Sequence, residues 1–238
     1  MTLPVHILVT GSSRGIGAAI VDRLTGDATR VVGHSSTTAS DAMIACDLAV
    51  PDTAPDLWQA ALDRLDGRID VLVNNAGIFE ASPLEADHED WVSAWERTMQ
   101  VNLTAAAELC RLAVLHFRGN GGGRIVNIAS RAAYRGDSPA HWHYAASKAG
   151  MIGMTKSIAR GYAAEGIYAF AVCPGFTMTG MAEEYLETRG GGALLADIPL
   201  GRVADPVEIA EATRFLALDA PPSMTGAVLD INGASYVR

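Results

Sequence analysis

The sequence predicts an α/β fold in which a parallel sheet is covered by helices on both faces, and three observations carry that prediction. Short apolar runs of strand length alternate with longer stretches whose apolar residues recur at helical spacing. Turns rich in glycine or asparagine follow strands directly, at the edge where an open parallel sheet receives its ligands. The 238 residues, 49% of them hydrophobic and 19% charged, are enough to bury about 70% of the unfolded surface in one core without a disulfide or metal. No repeat, linker or low-complexity tract divides the chain, so residues 1–238 are expected to form a single domain.

Val5 to Thr10 is the first expected strand, and Ile16 to Leu24 the first helix, stopped by Gly26. Arg30 to Gly33 and Met43 to Cys46 follow as strands. Only Ser35 to Ala42 lie between them, too few for a helical crossover, so a loop or single turn is expected. Ala54 to Leu65 reads as a helix with Leu57, Trp58, Ala61, Leu62 and Leu65 on one face. Val71 to Val73 is a fully apolar strand, and Trp91 to Phe117 one long helix in which Trp91 and Trp95 are neighbours that pack on another helix or subunit. Gly121 to Gly123 turn the chain into a strand at Arg124 to Ile128; Ala145 to Ala164 is helical and Ile167 to Val172 the next strand. The polar segment Thr179 to Asp197, containing Gly190 to Gly192, reads as a lid.

Composition excludes some functions. With 18 Lys and Arg against 27 Asp and Glu, a net charge of −9 and no basic run, the surface does not suit nucleic acid or an anionic membrane. No apolar run approaches the ~18 residues that span a bilayer. The segment Met1 to His6 lacks the basic start of a signal peptide, and the sparse, odd set Cys46, Cys110 and Cys173 reads as reduced, structural thiols. A cytoplasmic protein is expected.

Chemistry concentrates in a few segments. Thr10-Gly11-Ser12-Ser13-Arg14-Gly15-Ile16-Gly17 joins the first strand to the first helix, where glycines permit a tight turn and the helix end attracts phosphate; a turn without ligand has the same look. Asn74-Asn75-Ala76-Gly77 follows the apolar strand and suits a buried polar contact or a plain turn. Tyr144 and Lys148 lie one helical turn apart, so the ammonium can stabilise a phenolate and the phenol can exchange a proton with an alcohol or carbonyl oxygen. Such a pair is also common on helix surfaces. Ser130 sits just past a strand and Asn102 inside the long helix, each with an ordinary local role available. Ser130 is not in a Gly-x-Ser-x-Gly turn, which argues against a hydrolase. His141 and His143 flank Trp142 without a Cys or acidic partner at ligand spacing, so no metal site is expected.

Taken together and in this order, these segments resemble a short-chain dehydrogenase/reductase over nearly the whole chain. Thr10 to Gly17 matches the family's cofactor turn, Asn74 to Gly77 its Asn-Asn-Ala-Gly motif, Asn102, Ser130, Tyr144 and Lys148 its catalytic tetrad, and Pro174 to Thr179 its nicotinamide-contacting segment. Ser13 to Gly17, Pro199-Leu200-Gly201-Arg202 and Asp230-Ile231-Asn232-Gly233 are most similar to the 3-oxoacyl-[acyl-carrier-protein] reductases, although sugar, polyol and steroid reductases share them.

The resemblance implies a Rossmann-like, doubly wound domain with a seven-stranded parallel sheet. It implies that Tyr144 is the acid/base, that Lys148 binds the nicotinamide ribose and lowers the phenol pKa, that Ser130 orients the carbonyl and that Asn102 holds a water leading to Lys148. It implies phosphate contacts from Gly11, Ser13, Arg14, Gly15, Ile16 and Gly17, adenine contacts from Asp47 and Leu48, and further contacts from Asn74, Ala76 and Gly77. At the nicotinamide it implies Tyr144, Lys148, Pro174, Gly175, Thr177 and Thr179. For Asp47 a helix N-cap is the other reading. No carboxylate precedes Asp41 after the second strand, while Arg14, Ser35 and Ser36 can meet a 2′-phosphate, so NADP(H) is favoured. The short crossover, and the lack of an arginine after that strand, leave NAD(H) open.

The expected reaction interconverts a ketone and a secondary alcohol, on a small molecule or an acyl thioester, as in a 3-oxoacyl-[acyl-carrier-protein] reductase of fatty-acid synthesis. Alternatives are a sugar, polyol or steroid dehydrogenase, or a nucleotide-sensing regulator without turnover. Family members form tetramers through the helix bearing the tyrosine, so a homotetramer is expected. Arg131 to His143 and Thr179 to Asp197 would shape the substrate pocket, with His141 and His143 at its entrance. Arg124, Arg131 and Arg135 are the candidates for meeting an acidic carrier protein.

Overall fold

The computed structural model describes residues 4–178 and 195–238. Its strands are β1 (Val5–Val9), β2 (Thr29–Ser35), β3 (Met43–Ala45), β4 (Val71–Asn74), β5 (Gly123–Ile128), β6 (Ile167–Pro174) and β7 (Val228–Ile231). All pair in parallel, in the order β3-β2-β1-β4-β5-β6-β7. From β1 the chain winds outward through β2 to β3, then returns to place β4 on the other side of β1 and winds the opposite way. The loops leaving β1 and β4 therefore diverge and open a crevice at the carboxyl edge.

Alternation along the strands builds two apolar layers. Leu8, Leu72 and Ile125 face one side, where they meet Leu57, Trp58 and Ala61 of α2 (Ala54–Arg64) and Leu109, Ala113 and Phe117 of α4 (Ala105–Gly119). Ile7, Val9, Val73 and Val126 face the other side, against Ile20 and Leu24 of α1 (Gly15–Leu24) and Ile209 and Ala210 of α7 (Pro206–Arg214). Both faces of every central strand are thus buried, which is why those strands read as unbroken apolar runs.

The crossover from β2 to β3 contains no helix, as its length requires. The expected single helix Trp91 to Phe117 is instead α3 (His88–Met99), a π turn at Gln100–Thr104 and α4. The cause is Asn102, whose side chain accepts from Ile78 N–H at 2.8 Å and donates to Ile78 C=O at 3.0 Å, drawing the backbone toward the turn after β4. Two further helices follow β5: the short α5 (Ala132–Arg135) and the long α6 (Trp142–Tyr162). Trp95 of α3 stacks on both Trp91 and His143 of α6, so the tryptophan pair packs on a helix of the same chain.

Helix α7 went unassigned in the sequence. Its start is a capping box: the Asp205 carboxylate accepts from Val207 N–H at 2.9 Å, and the Glu208 carboxylate accepts from Asp205 N–H at 2.7 Å. All three cysteines are unpaired. Among the described residues no helix is long and apolar enough to cross a membrane, and no three His, Cys, Asp or Glu converge as metal ligands do.

Candidate active site

The turn after β1 is held in shape by its neighbours. Gly11 has φ +63°, and a Cβ there would lie 2.6 Å from Ala76 Cα, so only glycine fits. Thr10 Oγ1 accepts from the N–H groups of Asn75 and Ala76, both at 3.0 Å, and Asn75 Nδ2 donates to the carbonyls of Thr10 and Gly11. Helix α1 begins inside this turn with no side chain capping it and no acidic residue in its first turn, leaving its positive end for an anion. Ser13 and Arg14 stand exposed at the tip, while Gly15, Ile16 and Gly17 form the first helical turn.

Asn74 lies elsewhere than the resemblance implied. Its side chain points into the layer beneath the sheet, donating to Asn127 Oδ1 at 2.9 Å and Cys110 Sγ at 3.2 Å. Asn127 in turn donates to Thr155 Oγ1 of α6 at 2.8 Å. Asn75, which was not singled out, faces the glycine turn. Residues 72 and 74 of a strand share one face, and Leu72 already belongs to that layer.

The four residues of the tetrad converge at the carboxyl ends of β4 and β5. Lys148 is buried and donates to Ile128 C=O at 2.9 Å, with Nζ 5.9 Å from the centre of the Tyr144 ring. A Cβ on Gly77 would touch Asn102 Oδ1 at 3.3 Å and Lys148 Nζ at 3.4 Å, so this glycine brings the turn after β4 against both. Asn102 also donates to Ser147 Oγ at 3.3 Å, tying the π turn to α6. Tyr144 is hydrogen-bonded to Ser130, whose Oγ accepts from Ala132 N–H at 3.1 Å.

Burial dominates the electrostatics of the pair. Burial pushes the Tyr144 phenol above its ordinary value, and only the Ser130 hydroxyl pulls it back. Lys148 gives its hydrogen bond to Ile128 C=O rather than to the phenol, and burial brings its own ammonium down to about 8. The site therefore holds a protonated phenol beside a weakened cation. Cys173, buried nearby, is pushed up to about 12, which leaves it a thiol.

At the far side of the crevice, Ser35 is buried and its Oγ accepts from the N–H groups of Thr37 and Thr38, whereas Ser36 is exposed. Asp47 is not a helix N-cap: Thr53 holds that position in α2, and Asp47 accepts from Ala49 N–H at 3.0 Å. Leu48 beside it is buried. Beyond β6, Pro174 C=O accepts from Arg131 N–H, Gly175 N–H donates to Ile231 C=O, and Thr177 is buried. Thr179 and most of the expected lid lie outside the described residues.

The pocket wall contains aromatic contacts unread in the sequence. Phe79 stacks on His141 with centroids 3.9 Å apart and meets Tyr144 edge-on at 4.8 Å. His143 is buried, away from an entrance role. Arg131 lies over Phe176 at 4.7 Å and shares Asp197 with Arg135. Arg124 does not join them. It is the second residue of β5 and donates to Leu216 C=O at the opposite edge, about 20 Å from Ser130 at ~3.3 Å per strand residue.

Comparison with known proteins agrees with this geometry. A family model described as Enoyl-(Acyl carrier protein) reductase matches residues 11–234. The 3-oxoacyl-[acyl-carrier-protein] reductase FabG of Vibrio cholerae is 37% identical over 97% of this chain and 96% of its own, and that of Escherichia coli K12 34% identical over the same shares. Among solved structures, one from Beutenbergia cavernae assigned as a gluconate 5-dehydrogenase with NADP bound has a TM-score of 0.86 at 30% identity, covering 98% of this chain and 97% of that one. Another, from Agrobacterium tumefaciens and assigned as a 2-deoxy-D-gluconate 3-dehydrogenase with NADP bound, has a TM-score of 0.88 at 30% identity, covering 99% and 98%. A match of this length and order, with the tetrad assembled at the carboxyl edge, leaves one conclusion: the chain belongs to the short-chain dehydrogenase/reductase family.

Proposed function

We propose that this oxidoreductase interconverts a ketone and a secondary alcohol using NADP(H), and that its substrate is a 3-oxoacyl thioester of the kind named for its FabG relatives. The observation that carries the reaction is the half-buried Tyr144 phenol, hydrogen-bonded to Ser130 one helical turn from the buried Lys148.

The residues present fit a dinucleotide. The uncapped start of α1 suits a pyrophosphate, and exposed Arg14 and Ser36, with no carboxylate at the end of β2, suit a 2′-phosphate. Asp47 and Leu48 would border the adenine, Lys148 the nicotinamide ribose, and Gly175 and Thr177 the nicotinamide. When bound, that nicotinamide supplies or accepts the hydride. Ser130 orients the carbonyl oxygen, and Tyr144 delivers a proton to it. A phenol raised by burial is protonated at neutral pH, the form that reduction needs.

A second reading, a dehydrogenase of sugar acids, is favoured by one observation: Arg131, buried directly after Ser130, offers a guanidinium to a substrate carboxylate. NADPH consumption with a 3-oxoacyl thioester, a keto-sugar acid and a ketosteroid tests these readings. Preference for the thioester supports the first, and turnover of the sugar acid alone supports the second. Nucleotide binding without any turnover would instead indicate a regulator. The assembly is expected to be a homotetramer of single-domain chains, so light scattering at monomer mass would overturn that part.

A further inference from the structure

His34, at the end of β2, does not belong to the tetrad or to the expected cofactor contacts, yet its ring joins three segments that surround the nucleotide crevice. Gly11 N–H donates to His34 Nδ1 at 3.0 Å, and His34 Nε2 lies 2.7 Å from Cys46 C=O at the exit of β3. The backbone at His34 is stitched to the same turn: Ser12 N–H donates to His34 C=O at 2.7 Å, and His34 N–H donates to Ser12 Oγ at 2.9 Å. The ring is buried.

These contacts fix the ring's protonation state. Gly11 N–H requires an acceptor at Nδ1 and Cys46 C=O requires a donor at Nε2, so the imidazole is neutral with its proton on Nε2. We propose that His34 is a positioning residue for the nucleotide: its neutral ring clamps the phosphate-binding turn against the ends of β2 and β3, and a second proton releases the turn and weakens cofactor binding. This rests on the dinucleotide reading above.

A proton on Nδ1 would face the Gly11 N–H donor to donor, so either the turn moves away or the ring leaves Cys46. The groups facing the ring are few. The glycine turn presents backbone and the Ser12 hydroxyl, with Arg14 exposed at its tip; the exit of β3 presents Cys46, whose thiol burial keeps protonated and whose carbonyl favours the proton on His34, and beyond it the Asp47 carboxylate, which favours it too. Burial outweighs Asp47 and holds the ring below its ordinary 6.5, neutral at pH 7. The clamp is therefore complete above that value and opens as the pH falls.

The test is the dissociation constant of NADPH, read by its fluorescence from about pH 8 to about pH 5.5, for the wild type and His34→Asn. Asparagine keeps an acceptor where Nδ1 stands and cannot titrate in this range. Because both proteins meet the same titrating 2′-phosphate, their ratio isolates the ring. The wild type is expected to lose affinity relative to His34→Asn by more than about threefold on acidification, and His34→Leu to bind about tenfold more weakly than the wild type at pH 8. Parallel pH curves for wild type and His34→Asn would overturn the proposal while leaving the cofactor reading intact; failure of both NADPH and NADH to bind the wild type would sink that reading instead. Should His34→Asn not fold, nitrogen NMR of the wild type decides: a neutral Nε2–H ring in the NADPH complex supports the clamp, and a protonated ring refutes it.

Discussion

Lys148 is a buried cation that costs the fold stability at the place where the proposed reaction needs it. Its fall from 10.5 to about 8 corresponds to about 3 kcal/mol that burying the charge costs the fold. The sign follows from linkage: above pH 10.5 the amine is neutral in both states and nothing is lost, and the loss grows as the pH falls until it is complete below about 8. Lys148→Met is expected to raise the melting temperature at pH 7, by an amount that shrinks between pH 8 and 10.5, while turnover disappears; no gain at pH 7 would refute this. Tyr144→Phe is expected to lower kcat by about 10³-fold or more with NADPH binding retained, which titration of bound nucleotide fluorescence checks. The convergence of Asn102, Ser130, Tyr144 and Lys148 was suggested by the motifs taken together and in order, since each residue alone has an ordinary local role. The direction of Asn74 was legible too, from its shared parity with Leu72, but a motif read as one block conceals which amide faces which way. His34 was not legible, since nothing local says that a histidine at a strand end will reach a turn 23 residues earlier.

Helix periodicity alone could not show that α3 and α4 are separated by a π turn, because apolar residues continue at helical spacing on both sides of it. What breaks the regular ladder is a tertiary contact, the paired bonds from Asn102 to Ile78. Asn102→Ala removes both and strands the Ile78 backbone, so a loss of about 1–3 kcal/mol in urea unfolding is expected, with a higher KM for nucleotide as the turn around Gly77 loosens. A loss under about 0.5 kcal/mol would show that the turn holds without it. For α7 the signal was present and local: Asp205 followed by Pro206 and Glu208 is a helix start in sequence terms. Asp205→Ala should cost about 1 kcal/mol. Glu208, brought down to about 2 chiefly by Arg202, lends support that is complete above the ordinary carboxylate range and lost as the pH falls through about 2.

At the scale of the whole molecule, the parallel sheet gathers the candidate site at the carboxyl edge and leaves the opposite edge to structural contacts. The loops after β1, β4, β5 and β6 carry the nucleotide turn, the tetrad's surroundings and the Phe176 segment. Arg124 sits at the other edge, so the three arginines that look equivalent in sequence have separate fates. Arg131→Gln is expected to raise KM for an anionic substrate about tenfold or more, whereas Arg124→Gln should leave KM unchanged; steady-state kinetics on both variants decides. Doubly wound topology was legible from the strand and helix alternation, because strands buried on both faces must be apolar throughout. The neighbours of each strand were not, since pairing depends on where the crossovers lead.

That same order governs how the chain reaches its shape. Ile7 pairs with Val71, 64 positions later, and Ala171 with Val228, 57 later, so the central and terminal pairings form only after long loops have closed. During synthesis at about 5–20 residues per second, β1 waits several seconds for β4, with its apolar edge open meanwhile. The crevice that gathers Gly11, Asn75 and Asn102 cannot exist before that wait ends. Folding of this chain should accordingly be slow, and its early intermediate should be the species most prone to aggregate.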